Sequence, residues 1–232
     1  WITPAHAQDT SVLGSIPTDK TIDALALAPN TGIAYGISAE EKALYIFDLK
    51  SYSVKKKLKL ERKPVAIAVN PSTNIAYITA RDDKNKGLLY TSDPEGNISS
   101  VDIQNDPQDI AINGNEAVIA LEKDKKLLVL STDTFTVTDT FLLPHRPRLI
   151  SLDIDSNRAV IVAAKASGEG KQNIVLIVDL NTRSVLREME LKKEITGIAV
   201  DPEKDMAVAV SKDEINVIDI NTGNILLPPF SK

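Results

Sequence analysis

The chain has 232 residues, 43% hydrophobic and 25% charged, with a formal net charge of −5, values that suit one large globular domain or two small ones. Its acidic balance excludes nucleic acid and anionic lipid as default partners, and no apolar run approaches the ~18 residues of a membrane-spanning helix. Cysteine is absent, which removes disulfides, thiolate nucleophiles, cysteine zinc sites and covalently attached haem together.

The first stretch, "WITPAHAQ", sets Ala5 and Ala7 in an A-x-A pattern before Gln8. Small residues at those two places suit a signal peptidase, so residues 1–7 read as the tail of a signal peptide cleaved after Ala7. Export to the periplasm or the cell exterior is the expected consequence. Next, "SVLGSI" (11–16) reads as an outermost β-strand that closes a sheet begun elsewhere in the chain.

From there a single phrase recurs. "ALALAPNTGIAYGI" (24–37) and "AIAVNPSTNIAYIT" (66–79) share two apolar runs hinged on Asn, Pro, Thr and Gly. Aligned on one alanine, Ala34, Ala76, Ala117, Ala159 and Ala207 fall into register at intervals of 42, 41, 42 and 48 residues. The long interval contains "KASGEGKQN", a polar loop insertion. A second anchor follows each alanine: Asp48, Thr91, Ser131, Asp179 and Asp219.

Each unit holds four short runs rich in Val, Ile, Leu, Tyr and Thr, cut by turn residues; none has helical length or a 3.6-residue stripe. Four strands recurring about every 40–45 residues are the signature of a β-propeller blade. The fold class is therefore all-β, with five visible blades near residues 21–60, 64–103, 107–143, 147–191 and 195–230, within a propeller domain of residues 8–232. "NPSTN" is expected to be the turn between the innermost and second strands, with Pro71 fixing φ and Asn70 and Asn74 tolerating turn geometry. "VKKKLKL" alternates Val54, Leu58 and Leu60 with Lys55, Lys57 and Lys59, as a solvated outer strand should.

On these residues the chain resembles the YVTN-repeat β-propellers, which include YncE-like periplasmic proteins and surface-layer proteins. "IAVNPSTNIAYIT" and "VIDINTGNI" look like that repeat's two phrases, with Tyr77-Ile78-Thr79 in the naming motif's place. The later units carry Val118, Val160 and Val208 instead of the tyrosine. The resemblance implies a ring of about seven blades. Five units, with a surplus outer strand at 11–16, point to an incomplete ring from a longer protein. The rival is a five-bladed ring whose last blade gains a fifth strand.

The resemblance also implies that ligands lie at one mouth of the central channel, built partly from the loop leading into each innermost strand. These leading loops, "PTDKT", "LERKP", "QNDPQ", "PHRPR" and "LKKEI", hold Lys20, Arg62, Lys63, Arg146, Arg148, Lys192 and Lys193 against Asp19, Glu61, Asp106 and Glu194, a net +3 on an acidic body. Cations converging from separate blades focus a field that attracts anions, and arginine forks suit carboxylate or phosphate. His145, the one histidine of the domain, joins them in the mouth and reads as a solvent-exposed loop residue.

Other motifs are weaker. "DIDSNR" alternates Asp153, Asp155 and Asn157 like an oxygen-ligand calcium loop but lacks the completing glycine and glutamate, so it reads as a turn. No G-x-S-x-G is present, and the Gly168–Gly170 pair lacks the ending of a phosphate loop. No cofactor, metal or catalytic residue is expected. The functional expectation is an exported, non-catalytic binding or scaffold propeller that takes a small anion or an envelope protein at the channel mouth. The alternatives are a propeller enzyme, a lactonase-like hydrolase or cofactor oxidoreductase, and a structural surface-layer repeat protein.

Overall fold

A computed structural model describes residues 12, 14–165 and 172–226. Its strands form five four-stranded antiparallel sheets, each a meander of consecutive strands. Blade 1 comprises β1 (Ala24–Ala28), β2 (Ile33–Ser38), β3 (Ala43–Asp48) and β4 (Ser53–Lys59). Blade 2 comprises β5 (Lys63–Val69), β6 (Ala76–Arg81), β7 (Gly87–Ser92) and β8 (Ile98–Ile103). Blade 3 is β9 (Pro107–Asn113), β10 (Glu116–Leu121), β11 (Lys126–Ser131) and β12 (Val137–Leu142). Blade 4 is β13 (Arg146–Asp153), β14 (Arg158–Ala164), β15 (Gln172–Asp179) and β16 (Ser184–Glu190). Blade 5 is β17 (Ile195–Asp201), β18 (Met206–Ser211), β19 (Ile215–Asp219) and β20 (Ile225–Leu226). A single 3-10 turn, Pro202–Lys204, is the only helical element among the described residues.

The innermost strands β1, β5, β9, β13 and β17 pack each on the next, so the sheets fan around a common axis. This is a β-propeller arrangement of five blades, as the repeat requires. The arc is open: no comparable contact joins β17 to β1 among the described residues.

Side-chain alternation explains the fan. In every second strand the residues at the repeat alanine and two beyond it point to one face of the sheet, and those between them point to the other. The alanine face of blade 2 (Ala76, Ile78, Ala80, Leu88, Tyr90) packs on the opposite face of blade 1 (Ile33, Tyr35, Ile37, Leu44, Ile46). The same pairing recurs between Tyr77 and Leu89 of blade 2 and Ala117, Ile119 and Leu128 of blade 3. It recurs again where Val118, Ala120 and Leu127 meet Ala159, Ile161 and Ala163, and where Val160, Val162 and Val175 meet Ala207, Ala209 and Ile218. The hydrophobic core is thus four copies of one inter-blade interface, and both faces of the middle strands are buried because each is sandwiched.

The turns are held by their own side chains. Asn70, buried, accepts from Ser72 N at 2.9 Å through Oδ1 and donates through Nδ2 to Gly114 O of blade 3 at 3.0 Å. Asn74 completes that turn with φ 59°. Between third and fourth strands, Asp48 accepts from Lys50 N and Ser51 N, Asp179 from Asn181 N and Thr182 N, and Asp219 from Asn221 N and Thr222 N. In blade 2 this role falls to Asp93, which accepts from Glu95 N and Asn97 N. The second anchor of that unit is therefore Asp93 rather than Thr91. The β6–β7 loop is longer than its equivalents in blades 1, 3 and 5, and cross-strand pairing of Ala76 with Ser92 sets the register.

Two sequence readings change or fall away here. Of residues 11–16, the described ones form no strand; Ile16 instead packs with Ile22 against Ala34, Ala43, Tyr45 and Phe47 on the open face of blade 1. Residues 1–7, with the expected signal tail, lie outside the described residues. In β4 the lysines are exposed while Leu58 packs on the core and Leu60 is buried.

Replacing Ile161, fully buried at the blade 3–blade 4 interface, by alanine is expected to cost about 2–5 kcal/mol. Tyr35→Phe, which removes the 3.0 Å hydrogen bond from the Tyr35 hydroxyl to Asn74 O, should cost only about 1 kcal/mol. Urea unfolding followed by far-UV circular dichroism separates the two effects.

Candidate functional site at the channel mouth

The leading loops and the loops between second and third strands lie at the same end of every blade, because both join antiparallel strands there. The leading-loop cations mostly reach along this rim to acceptors of their own blade. Lys20 Nζ donates to Glu40 Oε1 at 2.8 Å in the β2–β3 loop, and Lys193 Nζ donates to Asp213 Oδ1 at 2.7 Å in the β18–β19 loop. These carboxylates hold both ammonium groups above the usual lysine range. Arg62 donates from Nη1 to Gly87 O at 2.8 Å and from Nη2 to Asp102 Oδ1 at 3.1 Å. Arg146 donates from Nη2 to Lys165 O at 3.1 Å. Lys63 and Lys192 are exposed and make no side-chain hydrogen bond or ion pair among the described residues.

A second set of contacts crosses between blades. Register shifts place a β-bulge in the innermost strands of blades 2–5, which leaves Val65, Gln108, Arg148 and Thr196 outside the strand pairing. A bulge re-aims the side chain that it frees. Gln108 Nε2 donates to Asp106 Oδ1 at 3.1 Å, and Asp106 is ion-paired to Arg81 of blade 2. Arg148 donates from Nη2 to Glu122 Oε1 of blade 3 at 2.7 Å. Arg81 and Glu122 occupy equivalent places in successive units, so opposite charges alternate along the rim from blade 2 to blade 4.

His145 is not the solvent-exposed residue that its loop suggests. Its side chain is 15% exposed, and Nε2 lies 2.9 Å from Glu188 Oε1 on the outer strand of blade 4. Beside it the hydrogen-bonding is incomplete: His145 Nδ1, Arg146 Nε and Arg148 Nε are buried and lack a partner. Three such nitrogens within four consecutive residues are unusual, since buried polar atoms are nearly always paired. Glu190 adds charge nearby, held below the usual carboxylate range by hydrogen bonds from Lys165 and Asn173.

Asp109 is the residue that sequence reasoning missed. It lies on the innermost strand of blade 3, where Oδ2 accepts from Ile150 N of blade 4 at 2.8 Å and Oδ1 accepts from Ile110 N at 2.9 Å. The carboxylate thus satisfies an amide on the free edge of the next innermost strand. Burial pushes its pKa up to about 6 against the pull of those two bonds. Cross-strand pairing gives the available signal: Ala24, Ala66, Leu149 and Gly197 take the same place in the other blades, so a carboxylate breaks the repeat.

"DIDSNR" is a turn in which buried Asp153 accepts from Ser156 N and its hydroxyl. Among the described residues no group of three or more His, Asp or Glu side chains is placed to hold a metal ion.

No family model and no curated protein matches this chain. Among solved structures it is similar to hydrazine synthase of Kuenenia stuttgartiensis, with a TM-score of 0.73 and 13% sequence identity. The likeness covers 97% of this chain and 68% of that one. At that identity it shows the fold. No helix among the described residues is long and apolar enough to cross a membrane.

The carboxylates give stability two opposite pH slopes. Asp109 has a folded pKa raised above its unfolded value of about 3.9, so its contribution is complete below pH ~4 and is lost as pH rises through about 6. Wild type should lose on the order of 1–3 kcal/mol across that window relative to Asp109→Asn. Asp48, Asp179 and Asp219, held low by turn amides, contribute above pH ~4 and lose that contribution as pH falls through their depressed pKa values. Urea midpoints from pH 3 to pH 8 check both slopes; a wild-type-minus-Asn difference that does not change with pH would contradict the Asp109 assignment.

Proposed function

We propose that this protein is an exported YVTN-type β-propeller that serves as a non-catalytic binding or scaffold module. Its site is the channel mouth at the leading end of blade 4, and it takes an anionic group, carried by a small ligand or by an envelope protein. The observation that carries this reading is the cluster of buried, unpartnered nitrogens of His145, Arg146 and Arg148. A carboxylate or phosphate that enters there, with a small adjustment of the loop, supplies acceptors to the Arg146 and Arg148 Nε–H donors that have none.

The pairing on the rim narrows the site. Lys20, Arg62 and Lys193 are engaged by acceptors of their own blades, so blade 4 rather than the whole ring of cations forms the subsite. Lys63 and Lys192, exposed at the same end, add to the local positive field without shaping the pocket. Export rests on the A-x-A pattern at Ala5 and Ala7, and the YVTN assignment rests on the repeated phrase and its spacing near 42 residues.

Calorimetric titration with phosphate and citrate tests the reading. Binding to wild type should weaken at least ~10-fold in Arg146→Ala, which leaves the Arg148–Glu122 pair intact, and further in the Arg146→Ala/Arg148→Ala double variant. Affinity that is unchanged in both variants, or no binding of either anion together with no capture of an envelope protein, overturns it.

A further inference from the structure

Blade 3 joins its two inner strands with two residues, Gly114 and Asn115, where each of the other blades uses four or more. Asn113 pairs across the turn with Glu116, and Gly114 takes the first loop place at φ 55°. A two-residue hairpin loop demands that left-handed backbone, which glycine adopts without steric cost. The dipeptide so placed, Asn113-Gly114, is the single Asn-Gly of the chain.

Two polar contacts between blades meet on this dipeptide. Asn113 Nδ2 donates to Asn157 Oδ1 of blade 4 at 2.7 Å, and Gly114 O accepts from Asn70 Nδ2 of blade 2 at 3.0 Å. Asn157 in turn donates from Nδ2 to Asn181 Oδ1 at 2.6 Å, so reversing its amide would break that second bond. The backbone nitrogen of Gly114 is otherwise placed: it donates no hydrogen bond among the described residues. Gly114 is exposed, and a Cβ there would meet no atom within 4 Å. A free main-chain nitrogen therefore stands next to a side-chain amide, with room around both.

We propose that Asn113 is a modification site, deamidated by attack of Gly114 N with water as co-reactant, and that its modification loosens blade 3 from both neighbours. The Gly114 amide gives its proton to solvent base, and its nitrogen attacks Asn113 Cγ. The new Cγ–N bond forms as Cγ–Nδ2 breaks, and Nδ2 leaves as ammonia. Water then opens the five-membered imide at either carbonyl, which gives aspartate or isoaspartate; the net exchange is one water in and one ammonia out. Either product sets a carboxylate where Asn157 Oδ1 had a donor, across the hairpin from Glu116. Isoaspartate also adds a methylene to the main chain just before the turn, which moves Gly114 O away from Asn70 Nδ2. Until then Asn157 restrains the reacting amide.

Peptide mapping by mass spectrometry tests this on the whole chain, kept folded in mildly alkaline buffer and, in parallel, unfolded in urea. Deamidation of the folded chain should concentrate at residue 113. Asn157→Gly removes the acceptor yet suits the left-handed backbone at φ 52°, and it should speed the folded-state reaction roughly 5-fold, as loss of one hydrogen bond would. Asn157→Asp keeps an acceptor and should stay near the wild-type rate. The modified protein, separated by anion exchange on its added negative charge, should unfold at lower urea than the unmodified chain, and Asn113→Asp should do the same. Three outcomes overturn the proposal: a folded chain intact at residue 113 over a time that converts it in the unfolded one; a folded Asn157→Gly chain that reacts no faster than wild type; or modified protein with an unchanged urea midpoint.

Discussion

Everything in this molecule depends on one contact: the alanine face of a blade seated on the branched face of the blade before it. The repeat alanines Ala76, Ala117, Ala159 and Ala207 are fully buried because a larger side chain there would hold two sheets apart. Close approach of the sheets removes from water the apolar atoms of both, at roughly 25 cal/mol per Å². Since each sheet is buried on both sides, the middle strands read as nearly continuous apolar runs. Polar and apolar residues mix again in the outer strands β4, β8, β12 and β16, where the arc meets solvent.

That packing fixes what the mouth can do. The blades wedge apart away from the axis, and their connecting loops must bridge the gaps with side chains. Most of the rim's charge is spent there. Arg81 with Asp106 and Arg148 with Glu122 join successive blades, while Lys20, Arg62 and Lys193 brace loops within one blade. A surface ion pair of this kind is worth only about 0–1 kcal/mol, so it governs local loop geometry more than the stability of the arc. Its larger effect is on recognition: a cation with an internal partner offers less to a ligand than its formal charge suggests. Blade 4 differs because its donors outnumber their acceptors.

The architecture was legible because it lies in spacing. Five alanines in register, with Asn, Pro, Gly and Asp at the breaks, define blades without any alignment of other proteins. The errors sit where spacing and space diverge. The longer β6–β7 loop moved the second anchor from Thr91 to Asp93, since cross-strand pairing rather than distance along the chain sets the turn. His145 looked solvated because it lies in a leading loop, yet Glu188, 43 residues away, pairs with its Nε2. The candidate cations were identified by charge, but their partners come from other loops that no local pattern links to them. Asp109 was hidden for the opposite reason: it follows a familiar turn signal, "NDP", and only alignment of the strands shows that it stands where other blades keep a small or apolar residue.

The change from tyrosine to valine after the second unit has a physical counterpart at the end opposite the mouth. Tyr35 and Tyr77 each reach across to the next blade and donate their hydroxyls to Asn74 O and Thr132 O. Val118 and Val160 take their place in the apolar interface but cannot make that bond. There the polar link moves into the turns: Asn113 Nδ2 donates to Asn157 Oδ1 at 2.7 Å between blades 3 and 4, and Arg158 donates to Asn221 Oδ1 at 2.6 Å between blades 4 and 5. Each blade junction therefore keeps an apolar seat and a polar latch, and only the residue that supplies the latch varies. A buried tyrosine takes up volume in the interface opposite the alanine of the next blade, Ala76 for Tyr35 and Ala117 for Tyr77. A turn asparagine costs none, so blades 3 and 4 fill that space with valine and still hold their neighbours in register.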